Sequence, residues 1–206
     1  MMINQWQSKI MKYIVFIESI KDNEWEVGAI IHNEITHNPD YKDIQSCIIQ
    51  VRNDIELKKV LSNLSATIIK EDDVIIQIDA HSNENELSFR NDSYQDDSYN
   101  TLTWDDVVNM CDSIFGKYND RVLFIFASCL SALYFKKKQP SPVFCVIAAE
   151  NIVAPRRMEE QLLVFYKSFC SGNSFEQAYN EMIQRFPIDE ELRRDEKKQS
   201  VLRFYK

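Results

Sequence analysis

Two runs of this chain have no polar face. Residues 122–127, VLFIFA, and residues 74–80, VIIQIDA, are apolar almost throughout. A strand wetted on one side alternates apolar and polar residues. A strand without that alternation is covered on both faces, as in the middle of a parallel sheet between helices. Parallel neighbours cannot be joined by a tight turn and need a crossover of a dozen or more residues, usually helical. The two runs therefore restrict the fold to one with helices between its strands.

The rest of the chain fits that pattern. Residues 12–17, KYIVFI, read as a first strand. Residues 23–37 read as a helix with Asn23 and Glu26 as a capping box and Val27, Ile30, Ile31 and Ile35 on one face, ended by Asn38-Pro39-Asp40. Residues 45–51, QSCIIQV, are a second strand. Asn53 and Glu56 then open a helix striped with Leu57, Val60, Leu61, Leu64 and Ile68. After the 74–80 strand, residues 87–89 suggest a short hairpin strand. Thr103 caps a helix carrying Trp104, Val107, Val108, Cys111, Phe115 and Tyr118. Beyond residues 122–127 comes a short apolar segment, LSALYF, then a strand at 143–149, VFCVIAA. Pro155 suits the first turn of a helix bearing Met158, Leu162, Phe165, Tyr166 and Phe169. Ser174 and Gln177 cap a last helix that Pro187 stops. Residues 188–199 form a charged connector and residues 200–205, SVLRFY, an edge strand. No repeat or linker divides the chain. The expectation is one α/β domain over residues 1–206, a three-layer α/β/α sandwich around a mostly parallel sheet of five to six strands.

Composition removes several function classes. A net charge of −8 argues against nucleic acid, which requires concentrated cationic surface. Three glycines leave no dinucleotide fingerprint, P-loop or serine-hydrolase elbow. The five cysteines, at 47, 111, 129, 145 and 170, form no CxxC pair and have no ligand-like spacing to a histidine. No metal or other cofactor is expected. An odd cysteine count, no secretory leader in MMINQWQSKIMK and no run of membrane-spanning length suggest a cytoplasmic protein.

Both apolar runs end in chemistry. The first ends at His81, the second at Ser128-Cys129, 48 residues on. Ligands of parallel sheets bind outside the carboxyl ends of the strands. If the two strands are neighbours, their ends lie about 5 Å apart, and imidazole and thiol can face one another. A thiol becomes a nucleophile when an imidazole takes its proton. The backbone N–H groups of Ser82 and Cys129 are the natural oxyanion donors. Asp79, two residues before His81 on the same strand face, is a candidate orienting or specificity residue. Cys47 and Cys145 lie within strands and read as core, while His32 and His37 have no comparably placed thiol. Residues 82–100 carry Glu84, Glu86, Asp92, Asp96 and Asp97 against Arg90, which favours Lys or Arg near the cut site if this loop borders the groove.

The order strand–His, helix, strand–Cys, strand, helix resembles the caspase-like cysteine peptidases, and among them the bacterial CHAT-type (caspase/separase-like) domains. Caspases place the histidine about 50 residues before the cysteine. The resemblance runs from about residue 74 to residue 183, through VIIQIDAHSNENELSF, LTWDDVV, RVLFIFASCLS and VFYKSFCSGNSFEQAYNEM. It implies a caspase-like fold, His81 as general base and Cys129 as nucleophile. It further implies a protein or peptide substrate and a regulatory or sensor partner that releases the peptidase in bacterial stress or defence. Two positions depart from the family: Ser82 stands where glycine usually follows the histidine, and Leu130-Ser131-Ala132 follows the cysteine. A left-handed Ser82 would cost about 1 kcal/mol or more. The alternative is a catalytically silent caspase-like binding or scaffold module.

Overall fold

A computed structural model describes residues 11–20, 24–68, 72–90, 100–138, 145–187 and 202–206. The first half holds β1 (Lys12–Ser19), α1 (Val27–Thr36), β2 (Ile44–Gln50), α2 (Asp54–Thr67) and β3 (Asp73–Ser82). A hairpin of β4 (Glu86–Phe89) and β5 (Asn100–Thr103) leads into α3 (Trp104–Phe115). Then come β6 (Val122–Ala127), α4 (Ser131–Lys137), β7 (Cys145–Ala149), α5 (Pro155–Cys170), α6 (Phe175–Arg185) and β8 (Leu202–Tyr205).

The sheet runs β2-β1-β3-β6-β7-β8, parallel except for β8, with the β4–β5 hairpin attached to the end of β3. The two unbroken apolar runs are thus neighbours at its centre, with Asp79 level with Ala127. Helices cover both faces. On one, α2, α3 and α4 pack Leu57, Leu61, Trp104, Phe115 and Phe135 against Ile76, Ile78, Phe124 and Phe126. On the other, α1, α5 and α6 pack Ile31, Leu162, Phe165 and Met182 against Phe16, Ile75, Leu123 and Ile125. Each such side chain, removed from water, contributes roughly 1.5–3 kcal/mol.

Strand order explains which helix lies where. The chain steps outward from β1 to β2, then crosses back over β1 to β3 and continues to β6 and β7. With crossovers of one hand, reversing the direction reverses the face. Accordingly α1 lies on one side and α2 to α4 on the other. The reversal leaves a switch point between β1 and β3, where open α/β sheets have their crevice.

Several local expectations change. The helix expected over residues 23–37 begins at Val27; Asn23 lies outside the described residues, and Glu26 makes no capping bond with its side chain. The sheet supplies the missing acceptors: Asp79 accepts from Gly28 N–H at 2.7 Å and Glu18 from Ala29 N–H at 3.0 Å. Asn53 caps α2 through Glu56 N–H, but the Glu56 carboxylate turns to Arg52 N–H, so the box is half formed. The Ser174–Gln177 box is complete. Tyr118 lies beyond α3, its hydroxyl donating to Ser65 O. Cys145 is buried as expected, but Cys47 is exposed. It sits level with buried Val15, on an outer strand that the helical layer does not fully cover.

Candidate active site

β3 runs two residues further than its apolar run because β4 pairs with its end, His81 with Ser88 and Ser82 with Leu87. His81 is therefore held in extended backbone with an exposed side chain. Leu87 and Phe89 are fully buried, so this part of the polar stretch 82–100 is anchored in the core. The turn beyond is fastened as well. Asn83 Oδ1 accepts from the N–H groups of Asn85 and Glu86, and the Trp104 indole donates to Asn83 O at 2.9 Å.

Cys129 follows β6 by two residues, and His81, still within β3, follows by two residues the partner of Ala127, so both lie at the carboxyl ends of adjacent strands. Their joint is the Ser82 hydroxyl, which donates to the Cys129 carbonyl. The Ser82 amide also points to that side. Hydrogen-bonded and non-bonded pairs alternate along an antiparallel ladder. The Asn83 N–H to Glu86 O bond, 3.0 Å, makes that pair bonded and the Ser82–Leu87 pair non-bonded. The Ser82 N–H therefore faces away from β4. β4 lies on the β1 side of β3, since Arg90 N–H reaches the Ser19 hydroxyl; the opposite side is that of β6 and Cys129.

After Cys129 the backbone turns sharply. Leu130 has φ 59° and is the one non-glycine residue with positive φ among the described residues. The left-handed position thus falls after the cysteine, and Ser82 stays in its strand. A leucine in this region costs roughly 1–2 kcal/mol, and the surroundings hold it there. Leu130 N–H donates to Asn151 O at 3.2 Å. Buried Ser131 donates to Ser128 O at 3.0 Å and accepts from Ala149 N–H at 3.0 Å, tying the turn to the end of β7.

Asp79 is not in this opening. It is 3 % exposed, faces α1, and accepts from Gly28 N–H and from Gln77 Nε2 at 2.7 Å. Glu18 lies level with it on β1, also buried. Burial, with a smaller contribution from the Glu18 charge, pushes the Asp79 carboxyl up to about 7, against the hydrogen bonds from Gln77 and Gly28. Asp79, expected as an orienting or specificity residue, is thus buried beneath α1, where its carboxylate receives the start of the helix. Of the acidic stretch, Glu84 meets Lys137 at 3.4 Å, Glu86 accepts from Asn83, and Asp92, Asp96 and Asp97 lie outside the described residues. Among the other thiols, burial pushes Cys145 up to about 11 and Cys170 up to about 12, and Cys111 higher still.

The residue that sequence reasoning missed is Glu24. Its carboxylate receives His81 Nε2, at 3.0 Å to one oxygen and 3.1 Å to the other. Nothing in the sequence marks it. It sits in a polar segment between β1 and α1, and only the β1–β3 adjacency brings it to His81.

No protein-family model and no curated protein matches this chain. Among the described residues, no group of three or more His, Cys, Asp or Glu is placed to hold a metal ion, and no helix is long and apolar enough to cross a membrane.

Proposed function

We propose that this chain is a cysteine endopeptidase of the caspase-like, CHAT type, cutting a protein substrate through an acyl-enzyme formed on Cys129. The observation that carries the reading is that His81 and Cys129 lie at the carboxyl ends of adjacent central strands, tied together by the Ser82 hydroxyl bond to the Cys129 carbonyl. The proposal includes the caspase-like fold, the bacterial stress or defence setting, and a regulatory or sensor partner that raises a basal activity of the chain alone.

In this reading His81 takes the Cys129 thiol proton, and the sulfur attacks the scissile carbonyl carbon. The oxyanion that forms is stabilised by the Ser82 and Cys129 N–H groups. His81 returns the proton to the leaving amine, and the C–N bond breaks. Water, deprotonated by His81, then hydrolyses the thioester. The left-handed Leu130 supports the reading, because strained backbone held in place by its surroundings concentrates at functional sites.

The test uses the whole chain and its Cys129→Ala and His81→Ala variants, each incubated with a denatured proteome and scored by new N-termini. The parent protein is expected to produce termini that both variants lack, and the double variant to match either single one, since the pair acts as a unit. Equal termini from the parent and Cys129→Ala would end the proposal.

A further inference from the structure

We infer that β2 is a self-pairing edge, at which a second copy of this chain adds its own β2 antiparallel about a two-fold axis centred on Cys47. The inference does not depend on the peptidase reading. Among the described residues β2 pairs with β1 alone and ends the sheet on that side. A sheet edge offers unpaired N–H and C=O groups to any extended chain, and natural proteins blunt it with charges, proline, bulges or very short strands. The opposite edge follows that rule: β8 carries Arg203, ion-paired with Glu150, and is followed by Lys206. β2 does not. Its seven residues, Ile44–Gln50, IQSCIIQ, hold no charge, proline or glycine. The flanks carry both signs, Lys42 and Asp43 before the strand and Arg52 and Asp54 after it, so an antiparallel copy meets no block of like charge.

The hydrogen-bond phase of the strand selects the register. Val51 N–H donates to Glu18 O of β1 at 2.9 Å. Backbone groups point to alternate edges along a strand. Those of Cys47 and Ile49 therefore face β1, as Val51 does, and those of Ile44, Ser46, Ile48 and Gln50 face the open side. A two-fold axis centred on Cys47 opposes Ile44 of each copy to Gln50 of the other, and Ser46 to Ile48. Every outward N–H and C=O of the strand then has a partner, whereas a centre on Ser46 or Ile48 leaves one end of the edge unpaired. The two Cys47 residues meet as a non-hydrogen-bonded pair on the same sheet face, with Cα atoms about 4.5 Å apart. That separation is within the range a disulfide spans. Cys47 is exposed, so its side chain is open to such a neighbour. A pair of edge strands buries less than about 1,200 Å², which makes the dimer weak and reversible.

The experiment is sedimentation velocity of the whole chain over about 1–100 μM, the range in which so small an interface acts, for the parent protein, Cys47→Ser and Cys47→Lys. Physiological salt screens the repulsion between two chains of net charge −8. In a second arm each protein is treated with diamide, and the linkages are mapped by mass spectrometry. Two thiols give one disulfide, and diamide takes up the two hydrogens. Mildly alkaline buffer is used, because the loss of water around the strand raises the Cys47 thiol. The mass of the parent is expected to rise with concentration towards that of a dimer, and diamide to link Cys47 to Cys47. Cys47→Ser should associate within about twofold of the parent and lose the link. Cys47→Lys, which sets two like charges opposite one another at the axis, should raise the dimer Kd at least about tenfold. If the Lys variant does not fold, Gln45→Lys, at another exposed position of β2, is read in its place. A parent that stays monomeric throughout, a Lys variant that associates within about twofold of it, or dimers linked only through other cysteines would overturn the inference.

Discussion

At the scale of single residues, two positions hold backbone or charge in states they would not take alone. Leu130 occupies the left-handed region at φ 59°. A β-branched residue tolerates that region worse than leucine, and glycine adopts it without penalty. Leu130→Val is expected to lower unfolding free energy by about 1 kcal/mol or more, and Leu130→Gly to leave it level or raise it. Urea unfolding measures both, and a Gly variant less stable than the Val variant would mean the turn is not strained. The second position is Asp79, with Glu18 beside it. Burial raises both carboxyls, Asp79 to about 7. A carboxyl raised on folding holds more protons in the native state than in the unfolded chain. Its contribution is fully present below the unfolded value, about 4, and is lost as pH rises through about 7. The urea midpoint should accordingly be higher at about pH 5 than at about pH 8, with the difference reduced in Asp79→Asn. A midpoint that is the same at both pH values, or higher at pH 8, would contradict this assignment.

At the scale of elements, α1 shows where sequence signals hold and where they give way. Its apolar face was legible, since Val27, Ile31 and Ile35 are all buried. Its start was not. The Asn23–Glu26 spacing matches a capping box, yet the helix begins at Val27 and its amides find acceptors on β1 and β3, which no local pattern records. α3 and α6 have local caps, from Thr103 and Ser174, and both were readable. The difference yields a test with a clear sign. In an exposed helix interior Gly→Ala stabilises by about 1 kcal/mol. Gly28→Ala is expected to destabilise, because the new Cβ would meet Asp79 Oδ2 at 2.6 Å. Stabilisation by this substitution would show that α1 is not seated on the acids.

At the scale of the whole molecule, the parallel sheet and the central adjacency of β3 and β6 were legible, because an unalternating apolar strand has few places to go. The switch point between β1 and β3 was not, since nothing in the local sequence shows that the chain crosses back over its first strand. Both misplaced expectations follow from that. Crossing back leaves β2 at the sheet edge, so Cys47 is exposed despite its apolar neighbours. It also sets the segment after β1 against the end of β3, bringing Glu24 to His81 and placing Asp79 under α1. In the mechanism we propose, this edge makes Cys129 the reactive thiol with His81 as its base. The most direct measurement is modification of the whole protein by a thiol-reactive peptide warhead, mapped over all five cysteines by mass spectrometry, with and without His81→Ala. The expected result is saturable labelling at Cys129 alone, lost in His81→Ala. Slow labelling spread over the cysteines in order of exposure, unchanged by His81→Ala, would contradict it.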